Sequence, residues 1–241
     1  MKFLKEEFIN NFLSPISKIG DNAKLVCSKT DTYCIINTID NTNILYARYL
    51  SGIDSDEQNV NIPDLKKFIR LVECVPVTGE LELKKNVNRV SYKGTSFKFD
   101  YYLLDDAYIP RVPISKDKIE KLAFDTTFNL TSDKLLDVLK LSSITTDTEK
   151  MYIYTEDTAV KVDLDDKERQ NITNVSVQVA DKFEGSAITK PVPISLGNLR
   201  LIAFEKNEDV EISINTTLKI VLIKIVSEQV ELKYIISGLV K

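Results

Sequence analysis

The sequence contains no histidine, and this absence restricts the chemistry that the protein can perform. Histidine is the most common general base, the partner of the nucleophile in Ser-His-Asp and Cys-His systems, and a frequent zinc ligand. Most hydrolase mechanisms are therefore excluded. The sequence predicts a protein that is not an enzyme.

Glycine is also scarce, with 7 residues in a chain of 241 and no cluster among them. Dinucleotide fingerprints and Walker loops need closely spaced glycines, because their backbone N–H groups must approach phosphates. Neither pattern occurs in the sequence. We expect no nucleotide, no metal and no other cofactor.

Cysteine is represented by Cys27, Cys34 and Cys74, an odd number without a C-x-x-C pair. Their neighbours are mainly apolar, which predicts that they are small buried side chains. No apolar run approaches the roughly 18 residues that span a bilayer, and no secretory leader is recognisable. We expect a cytoplasmic protein in a reducing compartment, without membrane attachment.

One sequence pattern occurs twice in the chain. Ile62-Pro63 followed by Ile69-Arg70-Leu71-Val72 recurs as Val192-Pro193 followed by Leu199-Arg200-Leu201-Ile202, at an offset of about 130 residues. Each copy begins with an amphipathic helix, and a proline at the first helical position predicts a second helix at Pro63 and at Pro193. The sequence therefore indicates two copies of one unit.

Most of the remaining residues alternate between apolar and polar, which predicts antiparallel strands. The fold class is α+β, with two tandem similar domains that each pack two short helices on an antiparallel sheet. We place the first domain at residues 1–104, a linker at 105–118 and the second domain at 119–241. The predicted strands are Lys24–Cys27, Tyr33–Ile39, Ile44–Leu50, Glu80–Lys84, Val87–Tyr92, Phe97–Leu104, Met151–Thr155, Ala159–Leu164, Thr173–Asp181, Val210–Ile214, Leu218–Ile225 and Gln229–Ile236.

This organisation resembles the DNA polymerase sliding clamps, a group similar to proliferating cell nuclear antigen. The resemblance depends on the tandem units, the basic helix faces, the proline-containing linker and the final strand Glu231–Ile236. Residues 1–28 resemble the clamps of T-even-type bacteriophages in particular. The resemblance implies the DNA clamp fold and a homotrimeric ring around double-stranded DNA, with the helices lining the central hole.

The same resemblance implies several partners. A clamp tethers the replicative DNA polymerase to its template for processive synthesis, and an ATP-dependent clamp loader opens the ring. In T-even-type phages the clamp also couples late viral transcription to DNA. The implied location is the cytoplasm of the infected host cell.

The formal charge of −4 has the wrong sign for bulk attraction to DNA. The four predicted helical stretches nevertheless carry +3 together, which leaves −7 for the other residues. A mildly cationic bore allows loose, sequence-independent phosphate contacts and sliding. The resemblance favours such contacts over ordinary solvated helix faces, and the predicted DNA-binding residues are Lys2, Lys5, Lys66, Lys67, Arg70, Lys134, Lys140 and Arg200.

The resemblance also implies a subunit interface and a peptide pocket. Strand Phe97–Leu104 would pair with Thr173–Asp181 of the next subunit, through the region of Phe97, Phe99, Tyr101, Val175, Val177 and Val179. Partner peptides would dock beneath the linker and near the C-terminus. The residues predicted for this pocket are Tyr108, Ile109, Val112, Leu239 and Val240.

Other functions are compatible with parts of the sequence. The acidic segment Asp163–Glu168 suggests a metal site or a nuclease, but Lys167 and Arg169 partly neutralise it and an acidic hairpin tip is the commoner structure. A stronger alternative is a non-enzymatic phage structural or adhesion module that is rich in strands. A third is a monomeric processivity factor with the same duplicated fold.

Overall fold

The computed structural model describes residues 5–52, 58–76, 81–84, 88–145, 148–165 and 174–239. The chain forms two compact units. Unit 1 comprises Met1–Ile39, Ile44–Ile119 and Ser227–Leu232, and unit 2 comprises Asp40–Asn43, Glu120–Val226 and Lys233–Lys241. None of the helices in the described residues is long and apolar enough to span a membrane.

The first helical segment of unit 1 starts as a π-helix, Glu7–Leu13, and continues as helix α1, Ser14–Ile19. Pro15 explains the change of register, because it has no N–H to donate to the carbonyl one turn earlier. The π-helical segment buries Phe8, Ile9, Phe12 and Leu13. The amphipathic segment predicted here is present, but its first turns are wider than an α-helix.

Helix α2, Leu65–Glu73, packs against this first segment in unit 1. Asp64 begins it as N-cap, because its side chain accepts a hydrogen bond from the Lys67 backbone N–H at 2.8 Å. Leu65, Phe68 and Val72 are buried, as the helical periodicity predicted. The cap fixes the start of the helix, and the apolar stripe fixes its rotation.

Unit 1 has two groups of antiparallel strands. The first runs in the order β3-β2-β1-β4 and contains β1 (Ala23–Cys27), β2 (Thr32–Asn37), β3 (Asn43–Tyr49) and β4 (Gln58–Ile62). The second runs in the order β5-β6-β7 and contains β5 (Glu82–Lys84), β6 (Arg89–Lys93) and β7 (Lys98–Tyr102). Strand β4 was not predicted, because its sequence Gln-Asn-Val-Asn-Ile is mostly polar.

The predicted linker, residues 105–118, contains a 3-10 turn and the start of a short helix. Asp106–Tyr108 form a single 3-10 turn, and Lys116–Glu120 form a short helix, α3. Ile109 is buried after the turn, whereas Tyr108 is 72% exposed. The segment therefore lies against unit 1 through alternate residues.

Unit 2 also has two groups of strands. One runs in the order β12-β8-β14-β15-β16 and contains β8 (Thr126–Thr131), β12 (Glu184–Gly185), β14 (Asp209–Asn215), β15 (Ile220–Val226) and β16 (Val230–Ser237). The first three residues of β16 are assigned to unit 1. The other runs in the order β11-β10-β9-β13 and contains β9 (Lys150–Glu156), β10 (Ala159–Leu164), β11 (Val175–Ala180) and β13 (Val192–Ser195). Strands β8, β12 and β13 were not predicted.

The helices of unit 2 are α4, Ser132–Ser142, and α5, Leu196–Arg200, which contact each other. The prediction that a helix begins at Pro193 is wrong, because Pro193 lies in β13 opposite Tyr152. Strand β13 is at the edge of its group, where proline is tolerated. Helix α5 starts three residues later, with Ser195 as a side-chain N-cap.

The cysteines divide into two groups. Cys27 and Cys34 are buried on β1 and β2, and burial raises their thiol pKa values, to about 11 for Cys27 and about 12 for Cys34. Both are small core side chains, as predicted. The prediction is wrong for Cys74, which is exposed at the C-cap of α2, where the chain leaves the helix.

Candidate nucleic-acid interface, edge strands and linker groove

The outer face of α2 carries three cations. Lys66, Lys67 and Arg70 are on the side opposite the buried stripe of the helix. Lys66 Nζ lies 3.1 Å from Asp21 Oδ1, in a pair whose side chains are both largely exposed. Such a pair stabilises little and competes weakly with a phosphate. Lys67 and Arg70 form no ion pair with any other residue in the described part of the chain.

Lys5 has a different role. Its Nζ donates hydrogen bonds to the carbonyl of Glu73 and, at 2.8 Å, to that of Val75. These carbonyls lie at and just beyond the C-terminus of α2, where a cation also interacts favourably with the helix dipole. Lys5 therefore fastens the first helical segment to the end of the second. Lys2, predicted together with it, lies outside the described residues.

Helix α4 of unit 2 has no net charge, because its two lysines are balanced by Asp133 and Asp137. Lys134 and Lys140 lie on α4, but Lys140 Nζ is 2.9 Å from Asp137 Oδ1 one turn earlier. The hydrogen bond and charge of Asp137 raise the pKa of Lys140. Arg200, exposed on α5, donates a hydrogen bond to Ser142 Oγ at 3.3 Å. The predicted DNA-binding face of unit 2 therefore has an acidic residue, Asp137, among its cations.

Six strands end their groups with a single neighbour in the described parts of the chain: β4, β5 and β7 in unit 1, and β11, β12 and β13 in unit 2. Two of them, β7 and β11, contain the residues that the sequence predicted for a subunit interface. Strand β7 pairs with β6 alone, and β11 pairs with β10 alone. An edge strand exposes backbone N–H and C=O groups that can pair with another chain. Strand β7 lies in unit 1 and β11 in unit 2, so these two edges belong to different units.

The side chains of these edges are partly apolar. Phe97 and Phe99, half-buried beside and on β7, form an aromatic cluster with Tyr92 at ring separations of 5.0 and 6.0 Å. Tyr101 is instead buried, and its hydroxyl donates to the Asp64 carbonyl at 2.8 Å and accepts from the Asp64 N–H at 3.0 Å. Tyr101 thereby holds the start of α2.

Strand β11 shows the alternation that the sequence suggested. Val175 and Val177 are half-buried, Ser176 and Gln178 are exposed, and Val179 is buried. Half-buried valines at a free edge offer apolar surface that pairing with another strand would cover. The geometry is therefore suited to strand addition.

The linker borders a groove in unit 1, with a volume of about 810 Å³. Asp106 holds the linker at one end, because its carboxylate accepts hydrogen bonds from Asn61 (2.6 Å), Lys24 (3.0 Å) and Asn59 (3.1 Å). The bonds from Asn61 and Lys24 lower the pKa of Asp106. The groove residues are Lys24, Val26, Tyr33, Ile35, Asn59, Asp106, Ala107, Ile109, Pro110, Arg111, Val112, Ile114, Ser115 and Lys116.

The structure brings together only part of the predicted peptide pocket. Ile109 and Val112 line the groove, whereas Tyr108 does not. Leu239 belongs to unit 2, where its N–H donates to the Pro193 carbonyl at 3.0 Å, and Val240 lies outside the described residues. The sequence did not predict that β1 and β2 line this groove. The available signal was the alternation of each strand, which places Lys24 and Val26 on one face of β1 and Tyr33 and Ile35 on one face of β2.

The acidic segment provides no support for a metal site in the part of the chain that is described. Asp163 accepts a hydrogen bond from the Tyr154 hydroxyl at 3.0 Å. The described residues include no group of three potential ligands. Asp166, Lys167, Glu168 and Arg169 lie outside them.

Together, the two units define a duplicated α+β fold with free edges. No family model and no curated protein matches the sequence. Among solved structures, A. fulgidus PCNA with the C-terminal region of FEN-1 bound has a TM-score of 0.77 at 10% identity, covering 99% of this chain and 97% of that one. PCNA is proliferating cell nuclear antigen.

Two further PCNA structures are also similar. The Entamoeba histolytica protein has a TM-score of 0.73 at 15% identity and covers 98% of this chain and 96% of its own. The Thermococcus kodakaraensis protein has a TM-score of 0.74 at 14% identity and covers 99% and 98%. The chain therefore has the PCNA-like sliding-clamp fold, and the predicted fold class is confirmed.

Proposed function

We propose that the protein is a sliding clamp, a non-enzymatic homotrimeric ring that encircles double-stranded DNA and tethers the replicative polymerase. The observation that carries this proposal is the clamp fold with an edge strand in each unit, β7 and β11, at the positions predicted for the subunit interface. When two different surfaces of one subunit are complementary, they assemble head to tail, and a suitable rotation closes the assembly into a ring. Pairing of β7 with β11 of the next subunit is such a contact.

The proposed DNA contacts are the helix cations Lys66, Lys67, Arg70, Lys134, Lys140 and Arg200, with Lys2 and Lys5 as further candidates. A ring keeps its hold on DNA by topology, so its phosphate contacts need little affinity. Lysine and arginine contacts to phosphates position a protein without reading the bases, which permits sliding. The acidic remainder of the chain disfavours binding of DNA to the outside of the ring.

The proposed partner site is the linker groove, where Ile109 and Val112 provide apolar surface beside β1 and β2. Polymerase and clamp-loader peptides would dock there, with Tyr108, Leu239 and Val240 as additional contacts. Binding at an apolar groove beside a linker explains how a ring without catalytic residues recruits enzymes.

The proposed viral origin rests on the resemblance of residues 1–28 to the clamps of T-even-type bacteriophages. The protein is a clamp of a T-even-type bacteriophage, opened by an ATP-dependent clamp loader in the cytoplasm of the infected host. In that setting it also couples late viral transcription to DNA. Reconstitution with phage late-transcription factors on nicked template tests this assignment, because the coupling predicts clamp-dependent transcripts.

The ring itself is tested by native mass and by DNA topology. Light scattering at several protein concentrations should give three times the subunit mass of 27.4 kDa. After loading, the protein should remain on circular DNA and be released when the circle is cut. A strict monomer, or equal retention on circular and linear DNA, would overturn the proposal. A strand-rich structural module would give no salt-dependent association with DNA.

A further inference from the structure

The turn end of the β6-β7 hairpin carries two lysines that face each other. Lys93 and Lys98 are Cα partners in the pairing of β6 with β7, and both are exposed. Neither forms an ion pair in the described parts of the chain, and like charges at such positions repel. The nearest acid along β7, Asp100, is already engaged, because it accepts a hydrogen bond from Ser91 at 2.5 Å and lies 3.4 Å from Arg89 Nε.

An acid without a cation lies at the end of the other edge strand, β11. Asp181 directly follows this strand, is exposed, and forms no ion pair with any described residue. Its Oδ1 accepts a hydrogen bond from Gln178 Nε2 at 2.7 Å, which holds the carboxylate over the polar side of β11. Lys161, the partner of Gln178 on β10, is already bound to Glu156. The Asp181 carboxylate is therefore available to a cation of another chain.

The apolar sides of β7 and β11 restrict how the two strands can pair. Residues directly opposite each other in neighbouring strands point to the same side of a sheet, so the apolar side of one strand should continue that of the other. One antiparallel register matches three apolar rows. Its pairs are Phe97 with Val179, Phe99 with Val177 and Tyr101 with Val175.

Charge distinguishes this register from the parallel one that matches the same rows. In the antiparallel register Lys98 lies opposite Gln178, beside the Asp181 carboxylate. In the parallel register Asp100 would lie opposite Gln178 and would bring a second carboxylate to Asp181. Opposite charges on neighbouring strands stabilise a sheet, whereas like charges destabilise it. The antiparallel register is therefore favoured.

We infer that Lys98 of one subunit binds Asp181 of the next subunit, and that this ion pair fixes the antiparallel register of β7 against β11. The inference rests on the proposed function and adds to it the contact that makes assembly directional. Apolar surface supplies most of the affinity between subunits, whereas complementary charge supplies specificity. Because the two members of the pair lie on different surfaces, the contact is head to tail.

A charge-reversal cycle tests the ion pair, with light scattering over a dilution series at low salt as the measurement. Lys98→Asp and Asp181→Lys should each raise the dissociation constant of the subunits about tenfold, because each variant brings like charges together. The double variant should return to within about threefold of wild type. Added salt should weaken the wild-type assembly more than that of Lys98→Gln. Independent effects of the two changes would overturn the inference.

The second lysine of the hairpin provides a matched control. Lys98→Gln removes the attraction and should raise the dissociation constant about threefold to fivefold. Lys93→Gln removes only the repulsion of Lys98 and should leave the constant unchanged or lower it. An equal loss in both variants would assign the effect to net charge and contradict the ion pair. Gln178→Lys should stay in the same small range as Lys98→Gln, because the introduced ammonium group competes for Asp181 without removing an apolar contact.

Cross-linking tests the register while Lys98 and Asp181 remain in place. In Asp100→Cys with Ser176→Cys, the two thiols are opposite each other in the antiparallel register and should link neighbouring subunits through a disulfide. Asp100→Cys with Gln178→Cys is the control, because only the parallel register brings those thiols together. Both variants also carry Cys74→Ser, since Cys74 is exposed. More efficient linking in the control would overturn the register.

The mass and DNA measurements on the same samples separate this inference from the proposed function. A trimer that is retained on circular DNA, but in which the changes at Lys98 and Asp181 act independently, refutes the ion pair and leaves the clamp intact. Open assemblies in which the two changes compensate each other refute the closed ring and leave the ion pair intact. A monomer at every concentration refutes both.

Discussion

The helix faces of the two units differ in charge although the units share one fold. Helix α2 of unit 1 has three cations and one acid in nine residues, and two of those cations form no ion pair among the described residues. Helix α4 of unit 2 has two cations and two acids in eleven residues, with Lys140 bound to Asp137. Both helices have an apolar stripe, whereas the charges of their outer faces differ.

The difference has a physical origin. A buried side chain is constrained by packing on all sides, so each helix keeps an apolar stripe: Leu65, Phe68 and Val72 in α2, and Leu135 and Val138 in α4. An exposed charge affects folding by a few tenths of a kcal/mol and is free to change. Unit 1 is therefore expected to supply most of the attraction for DNA.

The largest effect on stability is expected from the apolar stripes of α2 and α4. Phe68→Ala in unit 1 removes a ring that is buried against Tyr101 and should lower the free energy of unfolding by about 3–5 kcal/mol. Leu135→Ala should cost about 2–5 kcal/mol in unit 2. Urea denaturation measures both values. The surface control Lys67→Ala should stay within about 0.5 kcal/mol of wild type, and a decrease as large as that of Phe68→Ala would contradict the assigned rotation of α2.

The next effect is expected on subunit association through the edge strand β11. Val177→Lys places a charge on the half-buried side of β11 and should raise the dissociation constant of the subunits by about tenfold to a hundredfold. Light scattering over a dilution series measures the change. Gln178→Lys is the matched control, because Gln178 is exposed on the other side of the same strand. Equal dissociation in both variants would argue against an apolar interface at β11.

A smaller effect is expected on DNA retention when the helix cations of one unit are removed. The combined change of Lys66, Lys67 and Arg70 to glutamine should weaken DNA retention more than the same change at Lys134, Lys140 and Arg200. The logarithmic salt dependence should become shallower by about 0.9 for each phosphate that the variant no longer neutralises. Retention of loaded protein on circular DNA at increasing salt measures both. Equal weakening in the two variants would show that the counter-charge of Asp137 does not matter.

The smallest effect is a pH dependence in unit 1. Burial raises the pKa of Asp31, but hydrogen bonds from Ser28 and Arg48 and the charges of Arg48 and Lys116 lower it more, so the net pKa is below its ordinary value. Ionised Asp31 therefore stabilises the fold above that ordinary value, and this stabilisation disappears as the pH falls through the lowered pKa.

Asp31→Asn should thus destabilise the protein by about 1 kcal/mol at neutral pH, after allowance for the partial exposure of Arg48. The difference from wild type should shrink in acid. Thermal unfolding across the acidic range measures it. A difference that stays constant with pH would assign the effect to packing instead of charge.

Much of the fold could be predicted from the sequence, because burial leaves a periodic pattern. The stripe of α2 and the alternation of β2 and β10 are local patterns with one dominant solution. Strand β4 was not predicted because Val60 and Ile62 are its only apolar residues. The start of α5 was misplaced because a proline is equally acceptable at a helix start and in an edge strand such as β13.

The candidate site was less predictable. Lys66, Lys67 and Arg70 could be assigned to an exposed face from periodicity alone. That Lys5 binds the end of α2 depends on the packing of the two helical segments, and no local pattern contains this information. Likewise, Lys24 and Arg111 line one groove only because the linker returns to β1.

The sequence by itself determined the duplication, the α+β class, the helix faces and the lack of histidine, since each depends on composition or on short-range periodicity. The tertiary structure alone decided which strands end as free edges, which cations remain without an acid, and which side chains share the linker groove. These features arise from contacts between residues far apart in the chain. Because an exposed charge costs little to move, only the folded arrangement shows which neighbours remain to neutralise it.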